Sequence, residues 1–230
     1  MKLLRLALLC ALGAVGVLVI MPPASLLGAW LPEPFRLHYA SGTLWQGQVL
    51  LATDRPLCPL AWKYAGFSER TLSIDLTLGA PCSGRAMLDL KPEGAALRQL
   101  ELELPAALVV QFIPKLQSWQ LGGRFSLNSP RLALTPATLG EGDLTWIGAQ
   151  LARLPIAKLG DYTAHFTLNG HVVEARVSTL QGPLNLEGDL GFADTPRANL
   201  IASSDDPKIA LWIRTLGIME GPGQYRLRIQ

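Results

Sequence analysis

The chain has 230 residues, enough for one large or two small domains, and 49% of them are hydrophobic while only 17% are charged, a balance that excludes an intrinsically disordered chain. Twenty Lys and Arg stand against 18 Asp and Glu, for a formal net charge of +2. The two signs are interspersed, so the sequence has no basic stripe to neutralise phosphates and no nucleic-acid partner is expected.

The chain opens with Met1, Lys2, Leu3, Leu4 and Arg5, followed by an apolar run with no further charge until Glu33. Leu3 to Ala24 supplies the roughly 20 apolar residues a helix needs to cross a bilayer, and Pro22 and Pro23 end it. Lys2, Arg5 and the α-amino group precede the run, which places the N-terminus in the cytoplasm and the remainder outside. The expected organisation is a cytoplasmic stub and transmembrane anchor at 1–24, a juxtamembrane linker at 25–34 and a periplasmic β-rich domain at 35–230. A cleaved signal peptide is the competing reading, since small residues occur at Ala24 and Ala29.

Beyond Pro34 short alternating segments are punctuated by glycine, the pattern of antiparallel strands and tight turns. Strands are expected at Phe35 to Tyr39, Thr43 to Thr53, Thr71 to Leu78, Gly84 to Leu90 and Ala96 to Leu104. Further ones follow at Gly122 to Leu127, Arg131 to Thr135, Gly142 to Ile147, Asp161 to Leu168 and His171 to Thr179. Leu184 to Phe192, Ala198 to Ala202 and Gly223 to Ile229 complete the series. The fold class expected is mainly β: a transmembrane helix, then a curved antiparallel meander with one or two short covering helices.

Asn169-Gly170 is the pair preferred by a type I′ hairpin. That turn sets Leu168 opposite His171, Phe166 opposite Val173 and Ala164 opposite Ala175, giving an apolar face that includes Tyr162 and Val177. On the other face it pairs His165 with Glu174 and Thr163 with Arg176. One covering helix is expected after the caps offered by Ser203 to Asp206, with Pro207 in its first turn, Ile209, Trp212, Ile213 and Leu216 inward, and Gly217 at its exit. Another is expected from Pro105 to Ile113, with Leu108, Val109 and Phe112 inward and Pro114 ending it.

Cys10 falls in the apolar run, while Cys58 and Cys82 fall in the exported part and invite a disulfide; two buried free thiols are the alternative. Neither has a Cys-x-x-Cys partner or a nearby histidine, so redox catalysis and zinc are poorly supported. His38, His165 and His171 form no ligand set, and the hairpin puts the last two on opposite faces. Glu101 with Glu103, and Glu187 with Asp189, recur at spacing two, the pattern of a solvated strand face. No nucleophile elbow, phosphate loop or H-E-x-x-H occurs. The expectation is a non-enzyme without cofactor or metal.

Several segments carry a resemblance: ASGTLWQGQVLLA at Ala40 to Ala52, CPLAWKY at Cys58 to Tyr64, and GEGDLTWIGAQLARLPIAKLGDYTAHFTL at Gly140 to Leu168. Together with the basic, apolar N-terminus they resemble protein N of the bacterial type II secretion system. The most specific part is Ser41, Gly42, Thr43, Leu44, Trp45 and Gly47; Gly142, Asp143, Leu144 and Trp146 support it and echo its pattern of glycines around a tryptophan strand. The resemblance implies an inner-membrane component of the pathway that moves folded proteins from the periplasm across the outer membrane. It also implies an AsmA-like rolled sheet with an apolar inner side, and no catalytic residues. The expected partners are other secretion components, among them the secretin, and membrane lipid. The alternative function is a periplasmic lipid- or lipoprotein-binding domain with an apolar trough.

Overall fold

A computed structural model describes residues 24, 36–52, 56–110, 120–151, 158–193, 195, 197–221 and 223–229. The anchor expected at 1–24, apart from Ala24, and the linker at 25–34 lie outside the described residues, as do Phe112, Ile113 and Pro114. Among the described residues no helix is long and apolar enough to cross a membrane.

Among the described residues fourteen antiparallel strands form one open sheet. The first six are β1 Arg36–Gly42, β2 Gln46–Ala52, β3 Pro56–Ser68, β4 Thr71–Leu78, β5 Ser83–Lys91 and β6 Gly94–Pro105. The next four are β7 Leu121–Thr135, β8 Leu139–Leu151, β9 Gly160–Asn169 and β10 Val172–Gln181. The last four are β11 Leu184–Phe192, β12 Arg197–Ser204, β13 Ile218–Gly221 and β14 Gln224–Ile229. Each strand pairs with the next until β12, which pairs with β14, leaving β13 as the far edge opposite β1.

The alternation of apolar and polar residues is carried unbroken from strand to strand. One row of directly opposed residues runs Val49, Leu60, Leu78, Gly84, Leu102, Leu127, Leu144, Ala164, Val177, Gly188, Leu200, Leu227. The neighbouring row runs Gln48, Ala61, Thr77, Arg85, Glu101, Asn128, Asp143, His165, Arg176, Asp189, Asn199, Arg228. Because side chains alternate between faces along a strand, the two rows lie on opposite faces, one apolar and one polar.

Among the described residues two short helices cover the apolar face, at the end of the sheet where β6 leads to β7 and β12 to β13. Helix α1, Ala106–Val109, is only four residues long; Ala106 and the following Val110 are buried, and Leu108 and Val109 half-buried. Helix α2, Pro207–Leu216, is capped by Asp206, whose carboxylate accepts from Lys208 N at 2.8 Å and Ile209 N at 3.4 Å. Ile209 and Ile213 are almost wholly buried against Ala149, Leu151, Leu159, Tyr162, Leu184 and Ala202, with Trp212 half-buried beside them. Ile213→Ala should therefore cost roughly 2–3 kcal/mol, since a short exposed helix settles partly into the void it leaves; chemical denaturation of the purified chain measures it.

Several expectations are corrected. Leu216 is half exposed, because it lies in the last turn of α2, past the core that Ile209 and Ile213 enter. In the β9–β10 hairpin Asn169 is opposite Val172, so the two loop residues are Gly170 and His171. Gly170, at φ +63°, takes the first loop position that a type II′ turn reserves for glycine. Partners slide by two residues: Leu168 faces Val173, Phe166 faces Ala175, Ala164 faces Val177, and His165 faces Arg176 instead of Glu174. A slide of two preserves the faces, so the apolar set survives the error. Strand β3 is not among the expected strands; Pro56 and Pro59 lie in its opening residues, where proline is tolerated. The two strands expected at 122–127 and 131–135 are one strand, β7, with a bulge at Ser129-Pro130. The Ser129 hydroxyl there is fully buried and donates to Glu141 O at 2.6 Å. The edge strand β13 was also missed.

Candidate functional site

The segment Ser41 to Gly47 builds the β1–β2 turn. Ser41 opposes Gln48 and Gly42 opposes Gly47, and Gly42 sits at φ +96°, a conformation that disfavours any side chain. Thr43 N donates to Gln46 O at 2.8 Å. Its hydroxyl accepts from Trp45 N and Gln46 N, each at 3.3 Å. The carbonyls of Thr43 and Leu44 then accept from the indole N–H of Trp62, both at 3.1 Å. Trp62 lies directly across from Gly47, and a Cβ on Gly47 would stand 2.5 Å from its ring. The motif is thus a latch: a tight turn offers two carbonyls, and a glycine clears the room for the buried tryptophan that takes them. Trp45 projects outward, 41% exposed, with its ring edge-on to Tyr64 at 6.1 Å.

The second segment lies on β8, with strands β3 to β7 between it and β2, so the two do not form one site. Its physical device is similar. A Cβ on Gly142 would stand 2.9 Å from the ring of Phe166, its cross-strand partner. The Trp146 indole donates to Gly122 O at 2.9 Å and stacks on Phe125 at 5.4 Å between centroids. Leu144 belongs to the apolar row. Asp143 lies on the polar face with its carboxylate 2.9 Å from His165 Nδ1. Tyr162, next to Trp146, is buried with its hydroxyl 2.9 Å from Leu159 O and 3.0 Å from Leu184 O, and burial pushes its phenol pKa up.

Cys58 and Cys82 form a disulfide, with 5.8 Å between their Cα atoms. It is buried among Leu78, Leu104 and Leu108, tying β3 to the β4–β5 turn beneath α1.

On the polar face Arg85 makes two hydrogen bonds to Glu101, at 2.9 and 3.0 Å, and Arg176 reaches Asp189 at 3.3 Å. These exposed pairs have little energetic weight. Asp89, which sequence reasoning passed over, is different: it is nearly buried, bonded by Arg98 and by the Ser73 hydroxyl at 2.8 Å. Arg98 stands opposite Arg131 on β7, so Asp89 neutralises one of two facing guanidiniums. The bond from Arg98 holds the Asp89 carboxyl below its ordinary value, assisted by Ser73. A depressed carboxylate contributes stability that is complete above its unfolded value, about pH 4, and is lost as pH falls through the folded value. Asp89→Asn should lower stability at neutral pH and flatten its fall in acid, as denaturant titrations from neutral pH down to pH 3 would register.

Among the described residues no three His, Cys, Asp or Glu side chains gather to hold a metal. Surface depressions of about 720 and 750 Å³ lie against Asp89 and Arg98 and against His165 and Arg176, on the polar face. Trp146 packs into the core under α2, whereas Phe166 and Val173, farther along the same apolar face, remain half-buried outside it.

In comparisons with known proteins, the family model described as type II secretion system (T2SS), protein N, matches residues 33–228. No match was found among curated proteins or among solved structures.

Proposed function

This chain belongs to the protein N family of the type II secretion system, and on that premise we propose that it is a non-enzymatic inner-membrane component of the machine, acting through protein contacts made by its periplasmic sheet. The observation that carries the reading is the match over residues 33–228, which takes in all of the sheet but Ile229. Lys2 and Arg5 before the apolar N-terminal run favour a cytoplasmic N-terminus and a periplasmic body. The disulfide agrees with an oxidising compartment.

The contact surface this reading favours is the β13 edge. An edge strand offers unpaired backbone donors and acceptors, to which a partner strand can add. Ile218 and Met219 are exposed there, and Glu220, the strand's one charge, is tied to Arg226 on β14. The opposite edge is interrupted by an irregularity between His38 and Ser41. A photo-crosslinker at Met219 in living cells should capture another secretion component, the secretin among the candidates. Capture of none, from a protein at its normal level, would remove the edge from the account.

A second reading, a lipid- or lipoprotein-binding domain, is favoured by the half-buried Phe166, Leu168 and Val173 on a face the helices leave open. Lipid co-extracted with the chain in mild detergent would support it.

A further inference from the structure

The sheet's hairpin turns at one end share a property that the fold does not require. Six turns lie there, joining β1 to β2, β3 to β4, β5 to β6, β7 to β8, β9 to β10 and β11 to β12. Every one carries an exposed large apolar side chain: Trp45, Phe67, Leu90, Leu139, Val172 and Phe192 in that order, with Phe67 67% and Phe192 48% exposed. Successive hairpins are two strands apart, about 10 Å, so the rim from β3–β4 to β11–β12 spans about 40 Å. At the opposite end both helices, the disulfide and the largest core sit on the apolar face, and the exposed apolar residues there lie around α2 and β13, with Leu180 at the tip of β10 and Ile147 toward the end of β8.

Ala24, where the apolar N-terminal run closes, meets the middle of β2 and β3 beside the β1–β2 turn. Ala24 is buried against Val49 and Trp62, and Trp62 is the residue latched to the β1–β2 turn. From that cluster Tyr64 and Trp45 continue an exposed aromatic surface toward Phe67. Exposed aromatic surface thus lies between the Ala24 cluster and Phe67 at the end of β3.

We infer that this rim lies in the interfacial layer of the same bilayer that holds the N-terminal run, so that the sheet stands on the membrane by its hairpin tips. The inference rests on the anchor reading above. Single aromatic and aliphatic side chains at the strand ends flanking the turns suit the headgroup boundary, where they gain by leaving water while the charged turn residues Glu69, Arg70 and Glu93 stay hydrated. A rim about 40 Å long matches a bilayer surface without needing a partner of complementary shape.

The test uses the full chain in proteoliposomes of phosphatidylethanolamine and phosphatidylglycerol. A photoreactive phenylalanine is placed singly at Phe67, Leu90, Leu139 or Phe192, and at Leu180 as an exposed control from the opposite end. Exposed sites tolerate the change, and resistance to carbonate extraction reports the anchor independently. The expected result is a carbonate-resistant chain with several-fold more lipid adduct at the four rim positions than at Leu180. A carbonate-resistant chain with equal adducts at rim and control, or with chain-to-chain adducts in their place, overturns the inference while leaving the anchor intact. A chain released by carbonate overturns the anchor reading and the inference with it.

Discussion

Trp62→Ala should destabilise the protein by about 3–5 kcal/mol, the range for removing a large aromatic from a packed site. Trp62 is 6% exposed and packs on Val49, Ala24, Leu60, Ile74 and Leu76. Truncation also leaves the carbonyls of Thr43 and Leu44 without the indole N–H they share. Trp62→Phe separates the two contributions: it keeps most of the packing, loses the hydrogen bonds and should cost about 1–2 kcal/mol. Gly47→Val reaches the same result from the other strand, since any Cβ there meets the indole ring. Denaturant unfolding of the three variants should rank Trp62→Ala as the most damaging of the tryptophan changes. Equal losses for Ala and Phe would mean that the hydrogen bonds dominate the latch.

Replacing both Cys58 and Cys82 by alanine should lower stability by about 3.5 kcal/mol on the chain-entropy model. The bridge closes a loop between residues 24 apart in sequence, and its loss frees the unfolded chain more than it disturbs the folded one. Reduction of the intact protein should reproduce most of the loss. The double variant should then show no further response to reductant. A reductant-sensitive double variant would show that the effect lies elsewhere.

The sequence made the sheet legible because apolar and polar residues alternate so consistently that the faces survive errors of register. In the β9–β10 hairpin the turn was placed one residue early, which slid the partners by two and left every side chain on its proper face. What local patterning missed depended on information outside the segment. Strand β3 opens on Pro56 and Pro59, and its pairing with β2 and β4 overrides that local breaker signal. Ser129 and Pro130 looked like a turn, yet a bulge satisfied from β8 carries the strand through. The short strand β13 is defined by β14 and has almost no signal of its own.

The motif residues were legible as a pattern but not as a mechanism. Gly47 matters because Trp62 crosses over it, and Gly142 because Phe166 does; both facts need the register. Nothing in the sequence singles out Asp89, because its burial arises from Arg98 and Ser73 on flanking strands. The rim was equally hidden: each of its residues is an ordinary strand-end hydrophobe until the meander brings alternate turns to one end.

The most direct test of the account is the distribution of a type II exoprotein between periplasm and medium in cells lacking this chain. The account predicts that the folded exoprotein accumulates in the periplasm and that the full chain restores its release. Unchanged release in the deleted cells would contradict it.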